Sequence, residues 1–226
     1  MRAFPIFVAL GAGVGALVLW SRRALATEDD TGQTLASEED KEARAARSAL
    51  GSSKTLGARA VVVGLRYLGT AESPSKSNRG PVVDRFNRGR RGDGEKLVGK
   101  PWCARFARYC YEEAAEELGL PPPFAGIKGT LAAVTSWPTS LKGYETPPKP
   151  GAVGILLKKG VRHATIVIRT EGDKVVTVEG NHKGRVALVS RPKSDFAVFL
   201  DVERRAAAAP RVVGLIGLDV YAAGCC

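Results

Sequence analysis

An α+β fold in a single folded unit is what the chain predicts, on three observations. Helical periodicity with clear stop signals fills residues 54–137, and short β-type runs parted by glycine turns fill 152–202. The two textures meet at Lys149-Pro150-Gly151, so helices come first and an antiparallel meander second. A length of 226 residues holds one ordinary domain with extensions.

The elements follow in order. Residues 3–20, AFPIFVALGAGVGALVLW, are apolar throughout and end on Ser21-Arg22-Arg23. As a helix they would rise about 27 Å, enough for a hydrocarbon core. They predict a membrane anchor or, with Ala24-Leu25-Ala26 as a cleavage site, a signal peptide over residues 1–26. Residues 27–53 are rich in Ala, Glu and Ser and nearly empty of large apolar side chains, which predicts a polar, partly helical linker. The domain is expected over 54–204. Leu56, Ala60, Val63 and Tyr67 recur at helical spacing before Gly69. A loop over 70–80 leads to a short helix over 81–87, opened by Pro81. A charged, glycine-rich loop runs to Lys100. Residues 102–118 read as an amphipathic helix, with Phe106, Tyr109, Cys110, Ala114 and Leu118 inward and Glu112, Glu113, Glu116 and Glu117 outward. Gly119 and the prolines at 121–123 end it, and 130–137 predicts one more short helix. Strands are expected over 152–157, 163–169, 174–179, 185–190 and 197–202, with a spacer and tail over 205–226.

Charge is uneven. Residues 1–53 carry six Lys/Arg against seven Asp/Glu, and residues 54–226 carry 28 against 16. The folded part is thus the basic part, which fits a polyanionic partner as well as a merely solvated surface. Nucleic acid is the weakest of the polyanions, because no helix-turn-helix, zinc finger or aromatic-interleaved basic motif appears. Four cysteines, at 103, 110, 225 and 226, form no CxxC pair and stand at no ligand spacing from either histidine. Neither a structural zinc site nor any cofactor is expected. Cys103 and Cys110 lie two helical turns apart, too far to bridge.

Chemistry is carried by a few side chains. Cys103 falls in the first turn of its predicted helix, where the partial positive charge and free N–H groups favour thiolate and can receive an oxyanion. Such a thiolate needs an imidazole. His163 opens a predicted strand and is the candidate, whereas His182 sits in a glycine-flanked turn and is expected to be exposed. The imidazole in turn needs an orienting group, for which Glu179 and Asn181 are the alternatives. Cys103 as a buried small hydrophobe, and Glu179 and Asn181 as turn residues, are the competing readings.

Taken together, these stretches resemble the CHAP domains, the cysteine- and histidine-dependent amidohydrolase/peptidases. The matching segments are Ser77-Asn78-Arg79-Gly80-Pro81, then Pro101-Trp102-Cys103-Ala104 with Phe106, then Pro148 and Pro150-Gly151. His163 with its apolar strand and Val178-Glu179-Gly180-Asn181 complete the set, over roughly residues 62–202. The resemblance implies a papain-like α+β fold in which Cys103 attacks an amide of peptidoglycan, His163 moves the proton, and Glu179 or Asn181 fixes the ring. It implies a cysteine amidase or endopeptidase working at the cell envelope, membrane-anchored or secreted, or carried by a phage or injection particle. Ala152 stands where an acidic residue is usual after the proline-glycine turn, and Ala164-Thr165 stand for the usual valine and glycine. Glu72 and Asn78 are candidate cleft residues, and Trp102 is either a substrate platform or packing beside the nucleophile. The alternative of a different class is a non-catalytic wall-binding or structural component of the same assemblies.

Overall fold

The computed structural model describes residues 30–158 and 160–208, with side chains from residue 38 onward. The expected anchor or signal over 1–26 and the tail over 209–226, with Cys225 and Cys226, lie outside the described residues. No described helix is long and apolar enough to cross a membrane.

Contacts divide the chain into residues 1–42 and 43–226. Helix α1 (Asp30–Leu50) runs across that boundary, and its last turns belong to the larger unit. Ala43 and Ala46, three residues apart on one face, are buried in the core, and Arg47 donates to the Leu65 carbonyl at 3.0 Å. Small side chains let this helix lie close without the large apolar residues that a packed face usually needs. The stretch read as a linker therefore contributes to the fold, which begins eleven residues before the expected Lys54.

Thr55 caps α2 (Leu56–Arg66), its hydroxyl accepting the Ala58 N–H at 3.4 Å. Helix α3 (Pro81–Arg88) opens on its proline, and Val83 and Phe86 point inward. Helix α4 (Cys103–Glu117) is buried almost all round. Its expected outer row holds for Glu113, Glu116 and Glu117, which meet Tyr67, Arg90 and Arg66, but not for Glu112. Glu112 is 5% exposed and accepts from buried Arg108 at 2.8 Å, so polar pairing replaces the expected solvent face. Buried Arg105 ties down the charged loop, donating to Asn87 O, Thr130 O and Asp93 Oδ1. Helix α5 covers only Ser136–Ser140 rather than 130–137, because Leu131 takes φ +53° and its carbonyl accepts from Trp137 Nε1 at 2.9 Å.

Five strands follow: β1 (Val153–Leu156), β2 (His163–Glu171), β3 (Lys174–His182), β4 (Arg185–Pro192) and β5 (Val198–Leu200). They form one antiparallel sheet in the order β4-β3-β2-β1-β5. The first four make a simple meander; β5, expected to continue it, crosses to the far edge and pairs with β1. One face of the sheet, with Ala164, Ile166, Ile168, Val176 and Val178, belongs to the main core with α2 and α4. The opposite face carries a smaller cluster of Ala152, Leu156, Val167, Val175, Phe196 and Phe199. Helix α6 (Val202–Ala208) occupies the start of the expected spacer, its Arg205 donating to the Pro123 and Ala125 carbonyls.

Two close approaches fix how the helices meet the sheet. A Cβ on Gly180 would lie 2.5 Å from Phe106 Cβ, so β3 and α4 touch nearly backbone to side chain. Gly151, at φ +79°, passes so near Gly57 that a Cβ there would lie 2.3 Å from its Cα, and Tyr111 donates to the Gly151 carbonyl.

Candidate active site

The head of α4 faces the ends of β2 and β3. Trp102 stands at the N-cap position with φ −119°, and its carbonyl accepts the Phe106 N–H at 2.8 Å, so Cys103 is the first helical residue. The Cys103 thiol interacts with the His163 imidazole and with the backbone N–H groups of Ala164 and Ala104. Burial alone would push this thiol up. The imidazole and the two N–H groups outweigh burial and hold it below its ordinary value. Cys110, two turns on, has only burial and the Glu113 charge around it and is pushed well up.

His163 begins β2, paired with Leu156 of β1. Its Nε2 lies 2.9 Å from Glu179 Oε2, off the line of an ideal N–H bond, which makes this a close ion-pair contact more than an aligned hydrogen bond. Burial disfavours the imidazolium, but Cys103 and Glu179 more than compensate and raise its pKa to about 9.

Glu179 is fully buried on β3, and three elements hold it. Arg191 of β4 donates from Nε to Oε1 at 2.7 Å and from Nη2 to Oε2 at 2.8 Å. The Thr177 hydroxyl donates to Oε1 at 2.8 Å, and His182 Nδ1 lies 3.4 Å from Oε2. Burial would raise this carboxyl; Arg191 first, then His163 and His182, hold it well below the usual carboxylate range.

The predicted residues divide into two groups. Cys103, His163 and Glu179 come together as a line of sulfur, imidazole and carboxylate. Asn181, the alternative orienter, does not reach the ring. The register of β3 against β4 slips between Glu179 and His182, and Asn181 takes φ +61°. Its amide then serves the turn that carries Cys103. With the amide turned so that its oxygen meets donors and its nitrogen acceptors, the oxygen accepts the Trp102 backbone N–H at 3.2 Å and the nitrogen donates to Glu72 Oε1 at 3.1 Å. The Asn78 amide lies 3.2 Å away, and Trp102 Nε1 donates to Glu72 Oε1 at 2.9 Å. Glu72 and Asn78 are half-buried beside the site, tied to it through Asn181 and Trp102.

Two expectations need correction here. The Trp102 ring is fully buried, stacked on Phe86 at 5.7 Å between centroids, so it has no face to offer a substrate. His182 closes β3 instead of sitting in an exposed turn, because the same register slip folds it back onto Glu179. Arg191 and Thr177 were not singled out by sequence reasoning. The signal was available: residues 175, 177 and 179 share a face of β3, and 187, 189 and 191 share that face of β4. Among the described residues, no group of three or more His, Cys, Asp or Glu is placed to hold a metal ion. Such an arrangement can present a thiolate with an imidazolium poised to give its proton to a leaving group. No protein-family model, curated protein or solved structure matches the chain.

Proposed function

We propose that the chain is a papain-like cysteine hydrolase that cuts an amide bond in bacterial cell-wall peptide. The observation that carries this reading is the Cys103 thiol at the head of α4, beside an imidazole that a buried, ionised Glu179 backs at 2.9 Å. The thiolate attacks the amide carbonyl, and backbone N–H groups at the start of α4 receive the oxyanion. Protonated His163 gives its proton to the leaving amine, and a thioester to Cys103 remains. His163, now neutral, takes a proton from water, whose hydroxide attacks the thioester, releases the acid and restores the thiolate beside the imidazolium. Wall peptide as the substrate is supported by the ordered set of CHAP-like segments and by the basic balance of residues 54–226. Glu72 and Asn78 are the proposed cleft residues. In the test, wild-type protein clears purified sacculi and Cys103→Ala protein does not. Equal clearing by both would overturn the mechanism, and mass spectrometry of the products identifies the bond.

The 6% exposure of Cys103 favours one other reading, a wall-binding or structural component of an envelope or phage particle that keeps the fold without the catalysis. Iodoacetamide near neutral pH separates the two. A hydrolase alkylates first at Cys103, whereas thiol reactivity no greater than that of Cys110 marks the binding role.

A further inference from the structure

Glu179 has no exposed surface, yet it must stay charged if it is to hold an imidazolium beside it. His163 alone does not explain its condition. Four side chains reach its two oxygens: His163 from β2, Thr177 and His182 from β3, and Arg191 from β4. Of these, only Arg191 touches both oxygens, at 2.7 and 2.8 Å, and only Arg191 is charged at every working pH. The fork of a guanidinium fixes the plane of a carboxylate, and that plane sets where Oε2 stands relative to His163 Nε2. Arg191 reaches Glu179 diagonally across the ladder, since Ala187 is the residue directly opposite Glu179. Its length and orientation are therefore specific to this contact and are not set by strand pairing.

We infer that Arg191 is a positioning residue for the Cys103–His163 pair, acting through Glu179 by supplying the cation that keeps this carboxylate ionised and by fixing its plane. The inference rests on the hydrolase reading only for the thiolate's role as nucleophile. Deleting a positive charge from a buried cluster makes each acid in it harder to ionise, the carboxyl and the thiol alike. The groups facing the cluster are Cys103 from α4, His163 from β2 and His182 from β3, with Asp195, after β4, acting on Arg191 itself.

The experiment follows alkylation of Cys103 by iodoacetamide against pH, with Cys110 as the internal standard. Arg191→Gln keeps a hydrogen-bonding group of similar reach without the charge, and moves the limb of the Cys103 profile up by about one pH unit. Arg191→Lys keeps the charge but not the fork. Its alkylation limb stays with wild type, while its turnover on wall fragments falls about tenfold, a loss of about 1.4 kcal/mol in transition-state binding. A wild-type limb in Arg191→Gln would overturn the inference. If circular dichroism shows that the Gln variant does not fold, Arg191→Lys decides alone, and unchanged turnover in it would overturn the clamp. A wild-type Cys103 that alkylates no faster than Cys110 would instead overturn the hydrolase reading itself, so the two failures are distinct.

Discussion

At the scale of single residues, the site is governed by charges that burial would otherwise suppress. His163 is raised to about 9, and Glu179 is one of the two groups that raise it. In the proposed hydrolase the working form, thiolate with imidazolium, should therefore persist from the lowered value of Cys103 up to a fall near pH 9. Replacing Glu179 by Gln removes the negative charge that favours imidazolium. The alkaline limb of kcat/KM should then move down from about 9 toward the ordinary 6.5, measured on wall fragments across pH 5–10. An unmoved limb would show that Glu179 has no electrostatic hold on the ring. Cys103, His163 and Glu179 were legible in the sequence because their chemistry is tied to local position: a helix head, a strand start and a strand end. Arg191 was harder to see. An arginine in an apparently amphipathic strand reads as a solvent residue until strand pairing is known, and the contact skips four places along the ladder.

At the scale of elements, most helices and all five strands appear where periodicity put them, with ends shifted by up to three residues. The departures have particular causes. The expected face of α4 failed at Glu112 because Arg108, one turn earlier, follows it into the interior. The helix expected over 130–137 gave way to a loop held by Trp137 and Arg105 through backbone carbonyls, which no local pattern announces. What positions α4 on the sheet is the absence of a side chain at Gly180. Gly180→Ala would drive a methyl into Phe106, so the structure must spread there. We expect a loss of about 1–3 kcal/mol in stability by urea unfolding. Turnover should also fall, because α4 carries Cys103. A variant with wild-type midpoint and wild-type turnover would mean that the two elements separate at no cost.

For the whole molecule, composition misled about where folding begins. A stretch without large apolar residues was read as a linker, yet Ala43, Ala46 and Arg47 dock on the core. A chain shortened to start at Lys54 would lose that burial and the part-buried hydrogen bond from Arg47 to Leu65, each contributing about 1 kcal/mol. Its Tm should drop by about 5 °C, at roughly 2–4 °C per kcal/mol for a domain of this size. An unchanged Tm in differential scanning calorimetry would restore the linker reading. The path of β5 was equally hidden, since five sequential strands can extend a meander or cross over, and a three-residue strand carries no signal of which edge it joins.

The slipped register at the end of β3 also limits how this chain can change length. Glu179, Asn181 and His182 serve two separate duties, the carboxylate beneath the imidazole and the amide that holds the nucleophile turn, within four consecutive positions. An insertion or deletion inside 179–182 would reverse which side of the sheet each of them faces, undoing both duties in one event. At the other end of the same strand, the turn at Gly172 and Asp173 lies far along the ladder from those contacts. Descendants of this chain should therefore vary in length at that turn and keep a fixed spacing between Glu179 and His182.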